Sequence, residues 1–299
     1  MGMKKYLLSA FVLLFFIVPA FSQVNKDSAL RKQIVQIAKP IKGIVGVSIL
    51  NIETGDTLSY NGKARLVLHS VMKFPIALTV LHWVDTGKLS LSQIVHVTKR
   101  ELPKDTHSPL RDKYPKGTDI TLDSLLDYMI SQSDNNACDI LLGLLGGPKT
   151  VQAYLLQIGI RGIAVRTSEA DMAAAWELQF ANWCKPVEMT ALLNMFYNDK
   201  ILTKASTDAL YQMMVETTTG PQRLKGLLPP GTVVAHKTGS SSTDPNGITP
   251  ATNDVGIITL PNGKHIIISV FVCNAAGDDA TREGVIAKIA KATYDFYNK

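Results

Sequence analysis

Cysteine is scarce in this sequence of 299 residues, which contains three of them. Cys138, Cys184 and Cys273 lie far apart, and none belongs to a Cys-x-x-Cys or cysteine–histidine pattern. A metal centre built on these residues is therefore not expected. The sequence alone leaves open whether two of them are bridged. Because Cys138 and Cys273 lie in apolar runs, we favour buried free thiols.

The sequence also lacks any block of lysine and arginine, although its formal net charge is +6. The basic residues are scattered among acidic ones, and no stretch interleaves basic with aromatic side chains. Nucleic-acid binding therefore has little support. A mild positive field would suit an anionic small molecule, but it does not require one.

The hydrophobic run near the N-terminus is shorter than the roughly 20 residues that a membrane-spanning helix needs. This run, Leu7–Val18, follows Lys4 and Lys5 and precedes Ala20-Phe21-Ser22, which has small residues at the −3 and −1 positions of a cleavage site. The order predicts a secretory signal peptide over residues 1–22. No cysteine follows the cleavage point, so a lipoprotein is not expected. We expect a periplasmic protein that does not bind the membrane after signal removal.

The rest of the chain has enough apolar material for a large core, since 46% of all residues are hydrophobic. Strand patterns occur near both ends and helical patterns in the middle. This order predicts an α/β (α+β) fold, with an antiparallel sheet from 23–66 and 216–299 and an all-helical domain from 67–215. The predicted strands are 44–50, 57–60, 232–238, 254–260 and 265–273, and the predicted helices are 28–39, 70–87, 121–130, 138–145, 149–158, 186–197, 207–217 and 279–297.

Ser70 and Lys73 lie three residues apart in His69-Ser70-Val71-Met72-Lys73, at the start of a predicted helix. That spacing places both side chains on one helix face. A serine needs a neighbour that removes its proton before it can act as a nucleophile at neutral pH. A lysine that burial keeps partly neutral can do this. Both residue types are common, so the pair alone is a weak signal.

Two further motifs bring polar groups to the ends of predicted elements. Ser133-Asp134-Asn135 lies between two helices, where it either caps the second helix or supplies a hydroxyl and an amide to a site. His236-Lys237-Thr238-Gly239-Ser240 ends a strand. It is either an ordinary strand end or an edge that offers a cation, a hydroxyl and a backbone N–H to an amide ligand.

Together and in this order, the three motifs are the signature of class A β-lactamases and penicillin-binding proteins. The chain therefore resembles the serine β-lactamase superfamily over essentially its whole mature length. Glu216-Thr217-Thr218-Thr219-Gly220-Pro221 and Ala251-Thr252-Asn253-Asp254 resemble the VEB and PER extended-spectrum branch of class A. The resemblance implies a serine β-lactamase/DD-peptidase-like fold with the active site between sheet and helices. It also implies a monomer that opens penicillins and cephalosporins without a metal or organic cofactor.

The resemblance assigns catalytic roles to four residues. Ser70 is the nucleophile, and Lys73 is its proton partner, with Glu169 acting through a water as the alternative for acylation. Ser133 relays a proton to the leaving lactam nitrogen. Glu169, in the long irregular segment 162–185, matches the base that activates the deacylating water.

The resemblance also implies the substrate contacts. Asn135 binds the side-chain amide of the substrate, and Lys237, Thr238 and Ser240 bind its carboxylate. The backbone N–H groups of Ser70 and Ser240 form the oxyanion hole.

Around Glu169 the sequence departs from the usual family pattern. Many class A enzymes carry an asparagine four residues later to share the hydrolytic water, whereas this chain has Ala173. Either another group holds the water, or deacylation is slowed. The Arg–Asp pair that pins the loop in many relatives is replaced by Thr167 and Asn182. We expect a structural role for Asp171.

Departures also occur on the carboxylate side of the site. The usual arginine beside Lys-Thr-Gly is replaced by Val255. Arg223 falls where some members supply a guanidinium instead. It is either a surface arginine or a bidentate carboxylate ligand beside Lys237. His107 has the position of the aromatic residue that commonly walls the entrance.

Two other functions remain open on the same motifs. A peptidoglycan DD-peptidase would also be acylated at Ser70, and a non-hydrolysing β-lactam sensor would stay acylated. Turnover of a β-lactam distinguishes these alternatives from a β-lactamase, because only an efficient deacylating base releases the enzyme.

Overall fold

A computed structural model describes Met1 and residues 21–299, with side-chain environments for Met1 and from residue 29 onward. Residues 2–20 of the predicted signal peptide (1–22) lie outside the described residues. Within the described residues, no helix has the length and hydrophobicity needed to cross a membrane.

The helices and strands alternate along the chain as follows. The strands are β1 (Ile44–Asn51), β2 (Thr57–Tyr60), β3 (Leu66–Val67), β4 (Ile94–Thr98), β5 (Gly117–Thr121), β6 (Ile163–Ala164), β7 (Trp183–Cys184), β8 (Val234–Ser240), β9 (Ile248–Thr259) and β10 (His265–Ala276). The α-helices are α1 (Phe21–Ala38), α2 (Lys73–Asp85), α3 (Pro109–Lys113), α4 (Leu122–Ser131), α5 (Asn135–Leu144), α6 (Pro148–Gln157), α7 (Glu169–Ala174), α8 (Pro186–Tyr197), α9 (Lys204–Val215) and α10 (Asp279–Tyr297). Shorter 3₁₀ helices are His69–Met72, Lys99–Glu101 and Trp176–Ala181.

The main sheet is antiparallel and is built from both ends of the chain, in the order β2-β1-β10-β9-β8. Alternate residues of a strand face opposite sides of a sheet. Ile268 and Val270 of β10 therefore pack under α1 and α10, whereas Ile267 and Phe271 join the core of the helical half. The predicted fold class is confirmed, and β8 is an edge strand. The predicted domain boundaries remain a proposal.

Helix α2 lies at the centre of the helical half and contacts α4, α5, α6 and α9. Every residue from Lys73 to Leu81 is buried. A helix that is apolar on all sides belongs inside a protein. Its first residue is a lysine, so the amine of Lys73 is carried into the core at the end nearest the sheet.

Four details of the prediction differ from the structure. Ser70 lies in the 3₁₀ helix His69–Met72 and not in an α-helix. Segment 162–185 is not wholly irregular, because Ser168 and Asp171 form a capping box that begins α7. β9 starts at Ile248, earlier than expected, and the hairpin β4–β5 was not predicted.

The edge strand β8 approaches the Ser70 turn closely at Gly239. A Cβ atom at Gly239 would lie 2.5 Å from the carbonyl oxygen of Leu68 and 3.1 Å from the backbone nitrogen of Val71. The amide of Asn253 adds a second tie, since its Nδ2 donates to the carbonyl oxygen of Val67 at 2.8 Å. Glycine is therefore required for the strand to reach the Ser70 turn.

We expect Gly239→Ala to cost about 1–3 kcal/mol of unfolding free energy, because the added methyl group forces backbone segments apart. At this chain length each kcal/mol corresponds to a fall in Tm of about 2–4 °C. Gly143→Ala is the matched control, since a Cβ at this helical glycine meets no atom within 4 Å. Thermal unfolding should show a lower Tm for Gly239→Ala and an unchanged or slightly higher Tm for Gly143→Ala. Equal Tm values for the two variants would contradict the close approach.

Candidate active site

The amine of Lys73 is the point at which the predicted site residues meet. Its Nζ lies 3.0 Å from Ser70 Oγ, 3.1 Å from Glu169 Oε1 and 2.5 Å from Asn135 Oδ1. It also donates to the carbonyl oxygen of Ser133 at 2.7 Å. The side chain of Lys73 is fully buried and that of Glu169 is 9% exposed. Acceptors from three separate segments of the chain thus surround one buried amine.

The turn that carries Ser70 has an unusual backbone. His69 has φ +46°, a left-handed conformation that is uncommon for a residue with a Cβ atom. The imidazole of His69 is held by Gln179, at 2.8 Å between Nε2 and Oε1. Burial lowers the pKa of His69, which favours a neutral ring. His69 is the first residue of the 3₁₀ helix His69–Met72. Ser70 follows it, and its hydroxyl lies within hydrogen-bond distance of Lys73.

Ser133-Asp134-Asn135 performs both of the alternatives raised by its sequence. Asp134 caps α5 by accepting from the backbone N–H of Ala137, and it also accepts from the N–H of Leu110 at 2.7 Å. Ser133 has φ +57°, which turns the connector towards the site. Its Oγ lies 2.9 Å from Lys237 Nζ and 3.4 Å from Lys73 Nζ. One hydroxyl therefore lies between two buried amines.

Lys237 is fully buried on β8. Burial, followed by the neighbouring charge of Lys73, lowers the pKa of Lys237 well below its usual value. On the preceding residue of β8, His236, Nδ1 lies 2.9 Å from both carboxylate oxygens of Asp254. Asp254 also accepts from the N–H of Leu224 at 3.1 Å, so this buried pair ties β8 to the segment that carries Arg223.

Glu169 is the first residue of α7, and its Oε1 lies 3.5 Å from Ser70 Oγ. Its backbone is fixed by Asp139, a residue that sequence reasoning missed. Asp139 Oδ1 accepts from the N–H of Glu169 and Oδ2 from that of Ala170, each at 2.8 Å. Burial raises the pKa of Asp139 to about 6. The signal in the sequence was a lone acid within the apolar run 137–142, four residues after Asn135.

The base of the Glu169 loop is closed by an amide in place of an ion pair. Asn182 Oδ1 accepts from the N–H groups of Arg166 and Thr167 at 2.7 and 3.1 Å. Its Nδ2 donates to the carbonyl oxygen of Thr167 at 2.9 Å. Because Asn182 is completely buried, these bonds are shielded from water. Asp171 forms the capping box of α7, which is a structural contact.

Ala173 lies beside Glu169 on the wall of a cavity of about 180 Å³. Thr106 and Asn135 also line this cavity. Asn135 Nδ2 donates to Thr106 Oγ1 at 2.7 Å, so the amide is held from both ends, by Thr106 and by Lys73. Polar groups therefore remain close to Glu169 although Ala173 offers none.

Arg223 is buried and not a surface arginine. Its Nη2 donates to Ser240 Oγ at 2.6 Å, and its Nη1 donates to the carbonyl oxygens of Gly239 and Asn253. Its Nε pairs with Glu283 at 3.0 Å. With these partners the guanidinium positions the Ser240 hydroxyl, and little of its donor capacity is left for a substrate carboxylate.

Three remaining predicted residues lie around this centre. Thr238 Oγ1 is 2.5 Å from Thr219 Oγ1, and Val255 is buried opposite Lys237 in the sheet. His107 is hydrogen-bonded through Nε2 to the carbonyl oxygen of Gln132 at 2.9 Å. Its own carbonyl accepts from the N–H of Asn135, which places it next to the Ser133 connector.

The three cysteines form no disulfide bond. Cys138, Cys184 and Cys273 are buried free thiols, as their apolar surroundings predicted. Burial raises the pKa of all three. Among the described residues, no group of three or more histidine, cysteine, aspartate or glutamate side chains is placed to hold a metal ion.

Comparison with known proteins gives matches over most of the chain. Residues 29–297 match the Beta-lactamase enzyme family. The chain is 42% identical over 299 residues to β-lactamase VEB-1 of Pseudomonas aeruginosa, covering 99% of each. It is 39% identical over 294 residues to extended-spectrum β-lactamase PER-1 of Pseudomonas aeruginosa, covering 98% of this chain and 95% of PER-1. The crystal structure of a β-lactamase from Chitinophaga pinensis is similar with a TM-score of 0.88 at 48% identity, covering 89% of this chain and 98% of that one.

These matches extend over nearly the whole chain and include both groups that the motifs resembled. The predicted resemblance to class A and to its VEB and PER branch is confirmed. The chain therefore belongs to the β-lactamase enzyme family, as a class A enzyme that hydrolyses β-lactams.

Proposed function

We propose that hydrolysis proceeds through an acyl-enzyme on Ser70. The observation that carries this proposal is the triangle of Ser70 Oγ, Lys73 Nζ and Glu169 Oε1, with sides of 3.0, 3.1 and 3.5 Å. The hydroxyl proton passes to the Lys73 amine, or through a water to Glu169, as Oγ bonds to the lactam carbonyl carbon. The C–N bond then breaks, and the nitrogen receives a proton through Ser133.

The contacts of Ser133 support its role as the proton relay. Its hydroxyl lies within 3.4 Å of Lys73 Nζ and 2.9 Å of Lys237 Nζ. A hydroxyl can donate one proton and accept others at the same time. It can therefore give its proton to the lactam nitrogen and receive from Lys73 the proton that Lys73 took from Ser70, which returns the site to its starting charge. On the Glu169 route, Lys73 gives a proton to Ser133 and then takes one from Glu169, 3.1 Å away.

We assign substrate binding to the groups around this centre. Lys237, Thr238 and Ser240 bind the carboxylate, and Arg223 acts there by positioning the Ser240 hydroxyl. The backbone N–H groups of Ser70 and Ser240 supply the oxyanion hole.

Two further residues are assigned to substrate binding. Asn135 binds the side-chain amide of the substrate with the N–H and lone pair that Thr106 and Lys73 leave free. His107 walls the entrance.

Deacylation is assigned to Glu169. Its carboxylate takes a proton from a water as the water oxygen bonds to the acyl carbon. The ester bond to Ser70 Oγ then breaks, and that oxygen takes the proton back from Glu169, 3.5 Å away, which restores both side chains. Ala173 cannot orient this water. The anchoring of the Glu169 backbone by Asp139 supports a fixed base, which offsets part of that loss.

The cellular setting is also a proposal. Lys4 and Lys5, the apolar run Leu7–Val18 and the small residues before Gln23 favour export to the periplasm with cleavage after Ser22. We further propose that the mature protein is a monomer, whose sheet unit (23–66 and 216–299) and helical unit (67–215) meet at the site.

Ser70→Ala should abolish the covalent adduct, because no other hydroxyl contacts both Lys73 and Glu169 among the described residues. Intact-mass spectrometry after mixing with benzylpenicillin measures this. Ser92→Ala, at an exposed serine, is the control and should form and release the adduct like the unmutated protein. An adduct on the Ser70→Ala protein would rule out Ser70 as the nucleophile.

Glu169→Gln should let the acyl-enzyme form and then persist, because an amide cannot accept the proton of the water. We expect kcat for a chromogenic cephalosporin to fall by about 10²–10⁴-fold. Glu177→Gln, an exposed acid on the same loop, should leave kcat unchanged. Turnover of Glu169→Gln at the unmutated rate would show that another group is the base.

A further inference from the structure

A second cavity, of about 570 Å³, lies outside the site described above. It opens between β4, the 3₁₀ helix Lys99–Glu101 and α5. Ile94 and Leu144 on its wall are 62% and 36% exposed, which is high for large apolar side chains. Ile140 adds a third apolar surface. The cavity is therefore an accessible space of ligand size with an apolar wall.

The inner end of this outer cavity reaches the residues that hold Glu169. The outer cavity and the 180 Å³ cavity beside Glu169 share four lining residues: Pro103, Asn136, Asp139 and Ala170. These residues form the wall between the two spaces. A molecule in the outer cavity would therefore lie against the carboxylate that fixes the backbone of Glu169.

Asp139 provides a carboxylate in this wall, whose ionised form is favoured by the charge of Lys73 and disfavoured by that of Glu169. Its two oxygens accept from the N–H groups of Glu169 and Ala170. A carboxylate has about four acceptor positions, so two remain. No lysine, arginine or histidine among the described residues forms an ion pair with Asp139. Burial raises the pKa of Asp139 to about 6, and a bound cation would reverse this effect by favouring the ionised form.

The other charged or titratable groups that line the cavity are His96, Arg100 and Glu101. His96 Nδ1 lies 2.6 Å from Asp119. Glu101 accepts from Thr98 at 2.8 Å in a capping box, and the cation of Arg100 is its neighbour in the chain. The charge that a ligand would meet at the inner end is that of Asp139.

We propose that the outer cavity binds a small organic monocation, of the aryl-amidinium or aryl-alkylammonium class. Its charged end pairs with Asp139, and its apolar part packs on Ile94 and Leu144. Because Asp139 holds the N–H of Glu169, occupancy alters deacylation, a consequence that rests on the proposed role of Glu169. The binding itself does not depend on that role.

Benzamidine is the probe, and calorimetric titration at pH 7 with the full mature protein measures its binding. We expect a dissociation constant of about 1–10 mM for so small a ligand. Benzamide has the same shape without the charge and should bind about tenfold more weakly. Equal affinity for the two probes would contradict the pairing with Asp139.

The chain offers a matched pair of variants at Gly143, which lines the cavity and has open space at its Cβ position. Gly143→Trp fills the cavity and should weaken binding by about tenfold or more, whereas Gly143→Ala should not. Ile94→Arg, which places a cation at an exposed site on the wall, should also weaken it. Undiminished binding of benzamidine to both Gly143→Trp and Ile94→Arg would overturn the proposal. Displacement of benzamidine by a β-lactam substrate would also overturn it, because benzamidine would then occupy the Ser70 site.

The effect of cavity occupancy on deacylation is measured separately from binding. Saturating benzamidine should change kcat for benzylpenicillin by about twofold or more while leaving kcat/KM, which reports acylation, unchanged. The effect should vanish in Gly143→Trp. Competitive inhibition would show that benzamidine enters the Ser70 site instead. Calorimetric binding without any effect on kcat would retain the cavity site and remove only its link to Glu169.

Discussion

The buried amine of Lys73 is the feature on which the rest of the site depends. Burying a polar group this deeply is costly unless it is hydrogen-bonded, and Lys73 has partners from the Ser70 turn, the Ser133 connector and the Glu169 loop. Each of these three segments therefore has a reason to fold towards the same point. If one of these segments moved away, the buried amine of Lys73 would lose hydrogen-bond partners. The geometry of the site and the stability of the fold therefore depend on the same contacts.

The Glu169 loop is held in place by hydrogen bonds of an amide where many relatives use an ion pair. The ion pair usual at its base is replaced by the amide of Asn182, which satisfies three backbone groups without burying a charge. Asp139 then fixes the start of α7 by accepting two backbone N–H groups. Fixed backbone around Glu169 suits the proposed role of this residue as a base, because position 173 has no asparagine to share the water. Asp139 also connects Glu169 to the cavity on the outer surface.

Local patterns were sufficient for the fold class and for the residues in ordered motifs. Ser70, Lys73, Ser133 and Lys237 could be proposed because their three motifs occur together in the order that the family resemblance requires, whereas the spacing of Ser70 and Lys73 alone was a weak signal. Asp139 was missed because its contacts are with a loop 30 residues away, and no local pattern records them. Arg223 illustrates the same limit, since its identity suggested a carboxylate ligand but its partners Glu283 and Ser240 come from distant segments.

The proposed function requires release of the acyl group from Ser70, although the side chain of Ala173 cannot hold the hydrolytic water. The most direct test is a rapid-quench, intact-mass time course of the unmutated mature protein with a tenfold excess of benzylpenicillin. We expect an adduct of the penicillin mass that rises and then decays to free enzyme as all the penicillin is hydrolysed. An adduct that persists, with one equivalent of penicillin consumed, would contradict the account and indicate a β-lactam sensor.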